Sequence, residues 1–215
     1  MAKEVNILGN AFLIDPSRAV FCANANAVFV ADIHLGKSDF MRNYGIAVPY
    51  AVQIEDIKRI QGLLTRYRPQ KLVILGDFLH GKFIHEVTLE QWNLLKNNFS
   101  EVEFVLIEGN HDKHFDAGLI AMDKVESTLG FGNFICSHEP LAHMPEGFDL
   151  NIHGHIHPAF RLRGMRQKLP ALVWHPPYLK MPAFSQFTAG VEDTRGAQKA
   201  WVFLEQEQQV IPVVG

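Results

Sequence analysis

The chain has 215 residues, with 20 Lys and Arg against 23 Asp and Glu for a net charge of −3; 47% of residues are hydrophobic and 20% are charged. That length suits one α/β domain, expected over 1–215, and the composition excludes a disordered chain. The balanced charge gives no global field for nucleic acid, so any such binding has to rest on a local patch. Cys22 and Cys136 lack CxxC spacing, which argues against a disulfide framework or a zinc ribbon. MAKEVNILGN lacks the blocks of a signal peptide, and no run reaches the roughly 18 apolar residues of a membrane helix. A cytoplasmic location away from the membrane is expected.

NILGNAFLI and AVFCAN read as antiparallel hairpin strands at the start of the chain. AVFVAD (27–32) follows as a strand rich in β-branched and aromatic residues. In PYAVQIEDIKRIQGLLTRYRP, residues Ile54, Ile57, Ile60, Leu63 and Leu64 recur at helical spacing until Pro69 ends the run. KLVILGD (71–77) is a second strand. EVTLEQWNLLKNNF (86–99) repeats the helical pattern through Val87, Leu89, Trp92, Leu94 and Leu95. EFVLIEGN (103–110), FICSH (134–138) and the shorter DLNIHGH (149–155) are further strands. The stretch 169–190 is too irregular to assign, and KAWVFLEQEQQVIPVV reads as a closing hairpin. Strands alternating with helices imply a layered α/β fold with a partly parallel sheet.

The strands share one feature. AVFVA is followed by Asp32 and His34; KLVIL by Gly76 and Asp77, with His80 beyond; FVLIE by Gly109, Asn110, His111 and Asp112; FICS by His138; and LNI by His153, His155 and His157. Ligands of open α/β sheets bind outside the carboxyl ends of the strands, so five segments aim at one place. Two carboxylates, an amide oxygen and several imidazoles form an O/N set suited to Mn²⁺, Fe²⁺ or Zn²⁺, and the lack of cysteine disfavours structural zinc. The supply exceeds the needs of one ion. Two ions sharing a carboxylate would clamp a phosphoryl group and acidify a water or hydroxide between them for in-line attack. Taken singly, Asp32 and His34 read as a helix cap, and Gly76-Asp77 or Gly109-Asn110 as turn chemistry. Recurrence at five strand ends favours the ligand set. Period-2 spacing leaves His153, His155 and His157 all candidates while the strand lasts.

The order D-x-H, G-D, G-N-H-D, H, G-H-x-H resembles the calcineurin-like metallophosphoesterases over nearly the whole chain. The resemblance implies a layered αββα sandwich of mixed sheets with helices outside. It implies one divalent ion, Mn²⁺ foremost with Fe, Zn, Co or Ni as alternatives, on Asp32, His34, Asp77 and His157. A second is implied on Asp77, Asn110, His138 and His155. His153 stays outside the set, because the family motif begins at Gly154. His111 matches the histidine that assists the leaving oxygen, and Asp112 matches its orienting acid. ADIHLGK, LGDFLH, SHEP and MPAFSQFTAG look like the ligase-associated DNA-damage-response phosphoesterases of PdeM type. That likeness implies a phosphodiester substrate such as DNA, cut by a hydroxide bridging the two ions, and repair partners such as a ligase or helicase.

Other residues keep open readings. Many relatives carry Asp or Asn where His80 stands, so His80 is a substrate contact, an orienting residue or an ordinary loop histidine. Lys37 meets a phosphate or is simply solvated. RLRGMRQK (161–168) is a basic hairpin beside the site or a solvated turn. The aromatics of HPPYLKMPAFSQF stack on bases or pack a subregion. His85, His114, His143 and His175 match no motif and read as structural. The competing functions are a phosphatase or nucleotide phosphodiesterase on small molecules, a non-catalytic scaffold with broken ligands, and a structural zinc protein. The intact ligand set argues against the last two.

Overall fold

The computed structural model describes residues 1–49, 51–81, 84–114 and 120–213, with the Ala51 and His114 side chains outside that description. A seven-stranded sheet is laid down in chain order. β1 (Lys3–Ile7), β2 (Asn10–Asp15), β3 (Ala19–Cys22) and β4 (Ala27–Val30) form an antiparallel meander. β5 (Lys71–Leu75), β6 (Glu103–Ile107) and β7 (Lys124–Glu126) then add in parallel. Helices fill the first two crossovers: α1 (Lys37–Asn43) and α2 (Ala51–Tyr67) lie between β4 and β5, and α3 (Glu86–Asn98) lies between β5 and β6.

The second, nine-stranded sheet begins with β8 (Thr128–Phe131), β9 (Phe134–Ser137), β10 (Leu150–His153) and β11 (Pro158–Phe160). It continues with β12 (Leu169–His175), β13 (Tyr178–Lys180), β14 (Val191–Glu192), β15 (Lys199–Leu204) and β16 (Gln209–Val213). β9, β10 and β13 run parallel side by side, and β15 and β16 are the closing hairpin.

Strand alternation decides the layers. On β5, Val73 and Leu75 point into the core shared with Phe134, Cys136, Ile152 and Leu179 of the second sheet. Leu72 and Ile74 point the other way, into a cluster with Ile60, Leu63 and Leu64 of α2 and Trp92 and Leu95 of α3. A strand buried on both faces has to be apolar throughout, which is why KLVIL shows no alternation in sequence. The far face of the second sheet carries a smaller cluster, Ala171, Val173, Ala200 and Val202, with partly buried Phe160 of β11 and Leu169 of β12 packed against it. The expected mixed α/β layering is what the chain adopts.

The strands stop before the polar ends of the segments read from sequence. β4 ends at Val30, β5 at Leu75, β6 at Ile107 and β10 at His153, so the polar residues sit just past the sheet edge. The stretch 169–190, unassigned from sequence, supplies β12 and β13 around the cis bond between Pro176 and Pro177. No described helix is long and apolar enough to cross a membrane.

Candidate metal centre

The segments leaving β4, β5 and β10 interlock through their backbones. Asp32 N–H donates to Gly76 O at 3.1 Å and His34 N–H to Asp77 O at 2.9 Å. His155 N–H reaches the Asp32 carboxylate at 3.1 and 3.2 Å. Asp32, His34, Asp77, His155 and His157 all adopt positive φ, between 46° and 67°. This left-handed conformation costs an L-residue roughly 1–2 kcal/mol, and such strain gathers where function requires a particular side-chain direction. Close approach also needs glycine. A Cβ on Gly76 would lie 2.1 Å from His138 Nδ1, one on Gly109 2.5 Å from Asp77 Oδ1, and one on Gly154 2.7 Å from Asp32 Oδ2.

Two ligand groups result. Asp32, His34 and His157 offer atoms within 4.8 Å of one another, and so do Asp77, His138 and His155. Asn110 joins the second group, its Oδ1 lying 3.0 Å from His138 Nε2. Asp77 stands between the groups: Oδ1 is 3.4 Å from His138 Nε2, and Oδ2 is 4.0 Å from His34 Nε2.

The donor chemistry fits a cation. His138 Nδ1 lies 3.1 Å from the Leu75 carbonyl, which only accepts, so Nδ1 carries the proton. In the neutral ring Nε2 is then an unprotonated acceptor, yet it faces the acceptor Asn110 Oδ1 at 3.0 Å, with His155 Nδ1 3.2 Å away. A positive ion reconciles electron-rich atoms that converge in this way. His34 Nδ1 is buried without a hydrogen-bond partner among the described residues. Burial, assisted by Lys37, pushes the His34 pKa down to about 2, so the ring is neutral and able to ligate. Burial raises the Asp32 pKa, partly offset by His157 and His138, and a metal charge would favour its ionised form.

The other sequence candidates surround this pair. His111 donates its backbone N–H to Asp77 Oδ1 at 3.0 Å, and its imidazole Nε2, on a half-exposed side chain, lies 3.9 Å from Asp77 Oδ2. The Asp112 carboxylate accepts the backbone N–H groups of Gly109 at 2.9 Å and Leu79 at 3.0 Å. It therefore fixes the loop that presents Asn110 and His111. His80 sits edge-on to His34 at 5.3 Å and tilted against His111 at 5.4 Å; burial lowers its pKa to about 4.

His153 lies apart from both groups. It is fully buried, its Nδ1 donating to Gly154 O at 2.9 Å and its ring edge meeting Tyr178. His85 caps α3 by accepting the Val87 N–H, His143 and His175 are exposed, and the side chain of His114 lies outside the described residues. Lys37 is half-buried and donates to Thr188 Oγ1 at 3.1 Å. Sequence reasoning missed Thr188, which sits in an irregular stretch with no periodic signal. Openings of about 420 and 330 Å³ flank the centre, the first bordered by His157 and the second by Asn110 and His138.

The profile described as Calcineurin-like phosphoesterase matches residues 25–207. The Pseudomonas putida nuclease MPE superposes with a TM-score of 0.82 at 26% identity, covering 99% of this chain and 100% of its own. Yfce, a phosphoesterase from E. coli, has a TM-score of 0.49 at 16% identity over 87% of this chain and 98% of its own. Comparison with curated proteins gives no match. Family membership implies divalent metal ions and phosphoester hydrolysis, and the chain belongs to the calcineurin-like phosphoesterases.

Proposed function

We propose that this chain hydrolyses phosphodiester bonds, with DNA as the substrate class, through two divalent ions of which Mn²⁺ is the foremost candidate. The observation that carries the reading is the position of Asp77, whose two oxygens face histidines of different ligand groups. Asp32, His34, Asp77 and His157 would hold one ion, and Asp77, Asn110, His138 and His155 the other. Ions so placed would supply Lewis-acid charge for the phosphoryl oxygens and lower the pKa of a nucleophilic water.

The rest falls to the chain. Asp112 and the Leu75 carbonyl hold Asn110, His111 and His138 in place through the contacts described above. His111 stands at the solvent edge beside Asp77, where a protonated imidazole can pass its proton to a leaving alkoxide. A diester carries a substituent on each side of the reacting phosphorus, and the two openings flanking the centre give each substituent a path. A nuclease among the similar structures supports nucleic acid as that diester. The PdeM-type resemblance extends the proposal to DNA repair, with ligase or helicase proteins as partners.

The test is turnover with Mn²⁺ on a phosphomonoester, a small phosphodiester, cyclic nucleotides and single-stranded DNA. The diester and the DNA are expected to be cleaved and the monoester to be a poor substrate. Preference for the monoester would replace this reading with a small-molecule phosphatase.

A further inference from the structure

The basic turn at 161–168 takes no part in the chemistry above, yet it borders the centre. It joins β11 to β12, and its last two residues, Gln167 and Lys168, line the 420 Å³ opening that His157 also lines. Arg161 is occupied, with Nε 3.0 Å from Glu192 Oε1 and Nη1 on the Arg166 carbonyl. Lys168 is exposed and has no ion pair among the described residues.

Another part of the lining comes from 186–190, and its position is enforced. Val191 N–H donates to His157 O at 2.9 Å, and a Cβ on Gly190 would lie 2.5 Å from Ala159 Cβ. Buried Arg18, paired with Glu205, donates to Ala183 O at 3.1 Å and Ser185 O at 2.8 Å, fixing the chain just before this segment. Lys37 joins Thr188 to the loop carrying His34. On this wall Phe187 is half-buried, lines the opening and enters no ring pair among the described residues.

The opening therefore presents an unstacked aromatic ring and an unpaired ammonium next to a candidate metal ligand. Its volume falls within the roughly 300–1,000 Å³ of small-ligand sites. Aromatic rings stack on any base whose face is exposed, and cations neutralise backbone phosphates; together they are the means by which proteins hold single strands. A base inside a duplex is already stacked on its neighbours.

We propose that this opening is the subsite for the nucleotide flanking the scissile phosphate of a single-stranded nucleic acid, with Phe187 stacking on its base and Lys168 pairing with its phosphate. The assignment rests on the phosphodiesterase reading and names where the strand lies.

The test is fluorescence anisotropy of a labelled single-stranded oligodeoxynucleotide, with an oligoribonucleotide and the matching duplex as further probes. Parent, Phe187→Ala, Phe187→Trp and Lys168→Gln are compared, and KM and kcat are measured on the oligonucleotide and on bis-para-nitrophenyl phosphate. Phe187→Ala should weaken single-strand binding roughly five- to 150-fold, the span of one base–aromatic stack. Phe187→Trp should restore it. Lys168→Gln, at an exposed position where folding is not at risk, should reduce the slope of log affinity against log salt by about 0.7, as for one phosphate contact on a single strand. Cleavage of the oligodeoxynucleotide or of the oligoribonucleotide identifies the substrate as DNA or RNA. Equal losses on the oligonucleotide and the small diester, unchanged oligonucleotide binding in Phe187→Ala and Lys168→Gln, or a duplex bound as tightly as the single strand would each overturn the subsite. If the parent binds the oligonucleotide through Phe187 and Lys168 yet hydrolyses neither substrate, the phosphodiesterase reading fails, and with it the scissile-phosphate assignment, while the opening remains a single-strand binding site.

Discussion

Asp77 lies between two ligand groups, and each of its oxygens faces an imidazole of a different group. Asp77→Asn replaces one of those oxygens with an amide that cannot share two cations. It should weaken both metal sites and reduce turnover by orders of magnitude, whereas Asp32→Asn should weaken mainly one; metal content of the two variants checks this. A fully loaded, active Asp77→Asn protein would refute a shared carboxylate. His111 meets the centre through its backbone and presents its imidazole at the rim. His111→Ala should keep both metals yet lose roughly 10²–10⁴-fold in turnover. The loss should be smaller for substrates with good leaving groups such as nitrophenolate, and an equal loss across leaving groups would exclude an acid role. The candidate ligand residues stand out in sequence because they all follow apolar strands and their types share one chemistry. The backbone contacts of Asp112 and the Lys37–Thr188 bond are not, since each joins segments that only the folded chain brings together.

At the scale of the element, the strand-to-loop junctions carry the most information. Gly76 has φ +74°, and a Cβ there would strike the His138 ring. Gly76→Ala should therefore retain the fold but displace His138, losing metal from its group and most of the turnover. Gly62, inside α2, has nothing within 4 Å of its would-be Cβ. Gly62→Ala should stabilise the protein by roughly 0.5–1 kcal/mol, the usual gain of alanine over glycine within a helix. Thermal melts and metal analysis of the pair separate a conformational requirement at one glycine from ordinary helix propensity at the other. The central strands and α2 and α3 were visible as apolar runs and helical periods. The strand segments read from sequence run into the polar residues just past β4, β5 and β10, where the backbone has already turned left-handed, a turn that residue type alone does not show. α1 escaped notice for a different reason: it has seven residues and starts from left-handed Gly36 with no side-chain cap, so it shows neither period nor capping signal. β12 and β13 were hidden by Pro170, Pro176 and Pro177, which break the strand signal.

At the scale of the whole molecule, the layers are held by apolar burial and by a few polar ties between elements. Asp15, fully buried at the end of β2, accepts from Tyr67 Oη at 2.6 Å and pairs with Arg66, both in the last turn of α2. Burial alone would raise its pKa. The Tyr67 hydroxyl, the Ser17 N–H and Arg66 outweigh it, and the net value lies below the usual 3.8. A carboxylate whose folded pKa is depressed adds stability above its unfolded pKa, and that stability is lost as pH falls through the folded value. Asp15→Asn should therefore cost about 1.5–3 kcal/mol at neutral pH, as for a hydrogen bond to a charged group. The gap from the parent should narrow below about pH 4, which denaturant titrations at the two pH values would show. The layered fold and the family were legible because motif order spans nearly the whole chain; the second sheet's strand order was not, since β13 inserts between β10 and β12. The centre itself is tested most directly by stripping the protein with a chelator and titrating Mn²⁺ back while following bound metal and cleavage of bis-para-nitrophenyl phosphate. Turnover should vanish on stripping and return as two ions bind per chain; full turnover with one ion, or any turnover in the stripped protein, would contradict a two-ion centre.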